Sequence, residues 1–142
     1  MTSNLSALIE RVERLDGPDQ SLDAEICIEL QYGGINSEGA CNVRTDPDWE
    51  GDLLFEIEGD EHPDCCNPIP ALTASIDAAV ALVDRVLPGH GYTTDHQPVY
   101  GNHHDASVFN DHVITIGNGR GPNGAIAICL AALRALQNKD RQ

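Results

Sequence analysis

Residues 114–136, ITIGNGRGPNGAIAICLAALRAL, constrain this chain more than any other stretch. A β-branched apolar run breaks at a segment holding Gly117, Gly119, Gly121 and Gly124. It resumes at helical spacing, with Ile126, Cys129, Leu130, Leu133 and Leu136 along one face. A strand must therefore hand over to a helix within a few residues. Pro122 suits a first helical position, because its missing amide proton would have no intrahelical partner, so the final helix is expected to begin there. The glycines between strand and helix read as a loop, either an anion cradle or a plain corner.

The rest of the chain must supply apolar surface for that helix. Leu5, Leu8, Ile9, Val12 and Leu15 recur at helical spacing until Gly17-Pro18. A second helix is expected from Ser21, as cap, through Leu22, Ile26 and Leu30 to Gly33-Gly34. A third follows Thr73 or Ser75 and carries Ile76, Ala79, Val80, Val83, Val86 and Leu87 before Pro88-Gly89. Short strands are expected at Cys41 to Arg44, Leu53 to Glu58, Ala106 to Phe109 and His112 to Ile116, the last two joined by an Asn110-Asp111 turn. Amphipathic helices around short strands imply an α+β fold, a layered helix/sheet/helix sandwich with a short, mainly antiparallel central sheet. Residues 1–142 read as a single domain with a variable acidic insertion at about 33–70.

Charge narrows the partners. Asp and Glu number 23 against 8 Lys and Arg, a formal net charge of -15. Such a field opposes direct binding to duplex nucleic acid or to an anionic membrane. The five cysteines have no framework spacing, and Cys27 and Cys129 fall inside apolar helical patterns, as small buried hydrophobes do. No signal peptide and no membrane span are recognisable, so a cytoplasmic protein is expected.

Two segments, LTASIDAAVALVDRVLPGHG (72–91) and GPNGAIAICLAALRALQ (121–137), carry a family resemblance. Thr73, Ser75, Asp77-Ala78-Ala79 and Cys129-Leu130-Ala131-Ala132-Leu133-Arg134, with the opening amphipathic helix and Leu22-Asp23-Ala24, resemble the phage ABA sandwich domain proteins. The resemblance implies helix/sheet/helix layering and a phage or prophage origin, hence the host cell cytoplasm. It implies no established reaction. Small phage accessory proteins of this kind often blunt host defence, including by sequestering nucleotide immune signals.

Several residues could carry chemistry. The amides of a glycine-rich helix entry, joined by Arg120 as a bidentate donor, would suit phosphate, although the Gly-Lys-Ser/Thr ending of a P-loop is absent. Thr73 and Ser75 mark a second helix start. The expected ligand-binding set is therefore Thr73, Ser75, Asn118, Gly119, Arg120, Gly121 and Asn123, with Tyr92, Tyr100 or Phe109 available to stack on a base. His62, Cys65 and Cys66, or His103-His104-Asp105, are the rival metal ligands, and their spacing matches no structural zinc site. No catalytic residue, metal or cofactor is assigned. The expectation is an anti-defence protein that binds and sequesters a small nucleotide-derived signal without catalysis, as a homo-oligomer whose second copy covers an apolar helical face. The alternatives are a metal-dependent phosphodiesterase built on the histidine-rich segment and an acidic decoy for a host nucleic-acid-binding protein.

Overall fold

The computed structural model describes residues 3–34, 37–49, 51–59, 65–96 and 104–140. In chain order they form α1 (Ser3–Glu13), α2 (Gln20–Leu30), β1 (Ala40–Thr45), β2 (Asp52–Ile57), β3 (Cys65–Pro68), α3 (Ile76–Val86), β4 (Gly91–His96), β5 (His104–Phe109), β6 (Thr115–Gly121) and α4 (Gly124–Asp140). The fold class is α+β. Instead of one central sheet there are two antiparallel three-stranded sheets, ordered β1-β2-β3 and β4-β5-β6. Each is a meander of strands consecutive in the chain, so pairing stays local and α3 separates the two. Within the acidic segment 33–70 the described strands bury Val43, Leu53 and Phe55 in the common core.

Local chemistry sets the helix ends. Asp19, rather than Ser21, caps α2 by accepting from the Leu22 amide, and Gln31 closes the helix in the left-handed region before the glycines are reached. Ser75 caps α3. Helix α4 begins at Gly124, later than Pro122, because Asn123 Oδ1 accepts from the Ile126 amide at 2.7 Å. Residues 110–114 make the β5–β6 turn, and β6 begins only at Thr115.

The largest correction concerns the glycines. Gly117, Gly119 and Gly121 belong to strand β6, and they alternate onto its inner face against α4. A Cβ on Gly119 would lie 2.2 Å from the Ala127 carbonyl oxygen, and one on Gly117 would lie 2.2 Å from that of Ala131. The two periods match. Two strand residues advance about 6.7 Å and four helical residues about 6 Å, so glycines at every second position keep step with Ala127, Ala131 and Ala135. The glycines thus let backbone meet backbone, which places α4 deep in the core; Ala125 to Leu133 are essentially inaccessible.

Helix α4 also covers the free edge of that sheet. Arg134 Nη1 donates to the Asn118 carbonyl at 2.9 Å, and Asn138 Nδ2 donates to that of Ile116. Leu5, Leu8, Ile9 and Val12 of α1 are buried within the same chain, as is the stripe of α4. The apolar faces of α1 and α4 are therefore covered within the chain, while α3 leaves Ile76 47% exposed. No helix among them is long and apolar enough to cross a membrane.

Candidate functional site

The expected ligand-binding residues do not converge on one pocket. Thr73 is completely buried: its hydroxyl donates to Asp23 Oδ1 at 2.8 Å and accepts from the Asp19 amide, and its own amide also donates to Asp23. Its carbonyl accepts from Asn123 Nδ2 at 3.0 Å. Ser75 Oγ accepts from the Ala78 amide. The polar groups of both helix entries are thus engaged in joining α2, α3 and α4. Burial raises the Asp23 carboxyl pKa above its ordinary value, against the opposing effect of the Thr73 hydrogen bonds. Beside this junction Cys129 Sγ donates to the Leu72 carbonyl, and burial pushes its thiol well up; Cys27 is pushed up to about 12 by the same cause.

Asn118 and Arg120 point the other way. Their positions alternate with the inward glycines, so they stand on the open face of the second sheet, whose register places Asp95, Asp105 and Arg120 in one row and Thr93, Ser107 and Asn118 in the next. Arg120 Nε donates to Asp105 Oδ1 at 2.7 Å, and Ser107 Oγ to Asn118 Oδ1 at 2.8 Å. The guanidinium meant for phosphate lies against one carboxylate with a second next in its row. Gly119 and Gly121 face the helix, closing the proposed cradle from within. Phe109 shares the open face and packs across Gly91, while Tyr92 is exposed.

The metal alternatives fare differently by position. His62, His103 and Tyr100 lie outside the described residues. Cys65 and Cys66 are neighbours on β3 and so project to opposite faces; Cys66 Sγ donates to Asp52 Oδ2, which raises its thiol pKa. His96 and His104 are paired across β4 and β5 with rings stacked at 4.0 Å. Among the described residues, no three His, Cys, Asp or Glu side chains are gathered as a metal site.

Two clefts emerge that sequence reasoning missed. The larger, about 510 Å³, lies between the first turn of α2 and the β1–β2 turn, lined by Gln20, Ser21, Thr45, Asp46, Trp49 and Ile69 among others. Trp49, the only tryptophan, is 69% exposed. The turn is fixed around it: the Asp48 amide donates to Asp46 Oδ1, the Asp46 amide to the Asp52 carbonyl, and the Asp52 amide to the Trp49 carbonyl. The signal was available in DPDWEGD, where an indole sits inside a turn-forming, carboxylate-rich run and outside any apolar period. The smaller cleft, about 310 Å³, is lined by Gln31, Ser37, Gly39, Arg85 and Leu136 among others. Arg85 Nη1 donates to Ser37 Oγ, and the guanidinium stands 5.8 Å from the Tyr32 ring centre.

No protein-family model matches the chain, and no curated protein matches its sequence.

Proposed function

We propose that this chain is a non-catalytic binding protein whose acidic surface captures a basic protein surface, the decoy reading among those open at the outset. One observation carries it: the arginine best placed to attract an anion, Arg120, is held by Asp105 with Asp95 beside it in register. Arg11 and Arg134 are likewise tied to Glu25 and Glu13. These three arginines are spent on internal pairs, and with a formal net charge of -15 the surplus carboxylates set the external field. Such a field accelerates and orients encounter with a positive surface.

A second reading, sequestration of a small nucleotide-derived anion, is favoured by Arg85. Its cleft offers a guanidinium contacting a hydroxyl and an aromatic ring. Calorimetry separates the two readings. The decoy reading expects arginine- and lysine-rich polypeptides to bind at least tenfold more tightly than they bind a globular control protein of equal net charge. It also expects no heat from cyclic dinucleotides or cyclic ADP-ribose isomers, and no effect of Arg120→Ala. Nucleotide binding abolished by Arg85→Ala would establish sequestration instead. Binding equal to that of the control would reduce the acidity to a solubility property.

A further inference from the structure

We infer that the cleft beside Trp49 is an arginine-binding site, taking the guanidinium of a basic partner between the indole and the Asp46 carboxylate. This rests on the capture reading and names the side chain that the surface selects. The wall of the cleft formed by the β1–β2 turn presents the single tryptophan with most of its surface open, so its ring is available as a platform. Asp46 lines the same cleft and is oriented by the Asp48 amide bound to its Oδ1. Among the described residues no Lys or Arg lines it.

The chemistry of the walls selects among ligands. An anion would meet Asp46, with Asp48 immediately beyond it in the turn, and no compensating cation among the described lining residues. The N-terminus of α2 would favour an anion, but Asp19 already occupies it as cap and brings its own negative charge. A neutral ring could stack, yet would leave the carboxylate unanswered. A lysine ammonium would answer the carboxylate as a point charge. A guanidinium does both at once, because it is planar enough to lie on an indole and carries the paired N–H donors that a carboxylate accepts. Gln20 and Ser21 on the opposite wall add side-chain oxygens that can accept from remaining donors.

Since Trp49 is the only tryptophan among three tyrosines, fluorescence excited on the red edge, beyond tyrosine absorption, reads this cleft alone. The probes are a short glycine-flanked arginine peptide and its lysine and citrulline counterparts, titrated into the millimolar range. A saturable change in Trp49 emission is expected with the arginine peptide, at least fivefold weaker affinity with lysine and no saturation with citrulline. Asp46→Asn should weaken the arginine peptide at least fivefold while leaving the far-ultraviolet dichroism unchanged. A citrulline peptide that matches arginine, or an Asp46→Asn protein that binds as the wild type does, would overturn the assignment. Capture of arginine-rich polypeptide that survives Trp49→Ala undiminished would also overturn it while leaving the capture reading standing. An arginine-peptide response without polypeptide binding above the charge-matched control would retain the site and reject capture.

Discussion

Replacing Gly119 with alanine tests whether the glycines of β6 serve packing or ligand binding. The added methyl would sit 2.2 Å from the Ala127 carbonyl oxygen, 2.7 Å from the Ala131 amide nitrogen and 2.9 Å from Leu130 Cβ. Two of those atoms are helix backbone, which has no rotamer to change, so strand and helix must part by about 1 Å to restore ordinary contact. Overpacking of this kind costs about 1–3 kcal/mol, and a gap of that width forfeits a quarter to a half of each dispersion contact along the seam. A loss of about 2–4 kcal/mol follows, a large fraction of the ~5–15 kcal/mol typical of a domain. In urea the midpoint should fall by about 1–2 M if the slope is near the usual ~2 kcal/mol per molar. Two glycines serve as controls. Gly17 has nothing within 4 Å of an added Cβ and no positive φ, so alanine there should be neutral; Gly89 has equally open space but φ of 82°, so alanine should cost about 1 kcal/mol from backbone conformation alone. A Gly119→Ala protein as stable as Gly17→Ala would refute the close-packed seam and reopen the loop reading.

Val113 is a β-branched residue at φ 60° and 76% exposed, so Val113→Gly should relieve about 1–2 kcal/mol of strain against a glycine entropy cost of about 0.5–1 kcal/mol. A net gain of about 0.5–1 kcal/mol, read as a rise of a few degrees in Tm, is expected. Asp23 has a folded-state pKa raised above its ordinary 3.8, so between the two values the native state holds a proton that the unfolded state has lost. Its contribution is therefore fully present below 3.8 and is lost as pH rises through the folded value; the stability of Asp23→Asn relative to wild type should increase from pH 3.5 to pH 7 in paired urea titrations. Arg134→Ala removes the donor to the Asn118 carbonyl and the partner of Glu13, and should cost about 1 kcal/mol by the same assay, with faster aggregation if the bared β6 edge recruits other chains.

The helices were legible because their apolar periods are long. Leu5, Leu8, Ile9 and Val12 of α1 and Ile126, Cys129, Leu130 and Leu133 of α4 are buried as their spacing assigns, whereas α3 is rotated from its assigned stripe: Ala79 and Val83 are buried, Ile76 is 47% exposed, and Leu82, outside the stripe, is fully buried. The glycines read as a loop because an apolar run stops where they begin, yet strand β6 continues through Gly117, Gly119 and Gly121. Their alternation at 117, 119 and 121, set against alanines four apart at 127, 131 and 135, already describes a strand seated on a helix. The division into two sheets was not legible, since each strand is short and nothing local records which of several antiparallel neighbours it will pair with. Thr73 shows the limit of cap rules: an oxygen beside a helix start serves Asp23 and Asp19 across the core, while Ser75 performs the capping. Trp49 gives no core signal, since it fits no apolar period and stands 69% exposed in a turn.

The two clefts make opposite demands on salt, and this follows from net charge before any ligand is identified. A cation approaching a chain of formal charge -15 gains from the distant carboxylates as well as from Asp46, and added salt removes the distant share first. Its affinity must fall as ionic strength rises. An anion directed to Arg85 is attracted by one guanidinium and repelled by the same distant field, so salt that screens beyond about 8 Å leaves the near contact while lifting the repulsion. Its affinity should hold or improve over the same range. The sign of the salt slope therefore assigns a ligand to one class of cleft even where its chemistry is mixed. A basic peptide that binds more tightly in high salt would show that apolar contact, and not the acidic field, is what the surface of this protein offers.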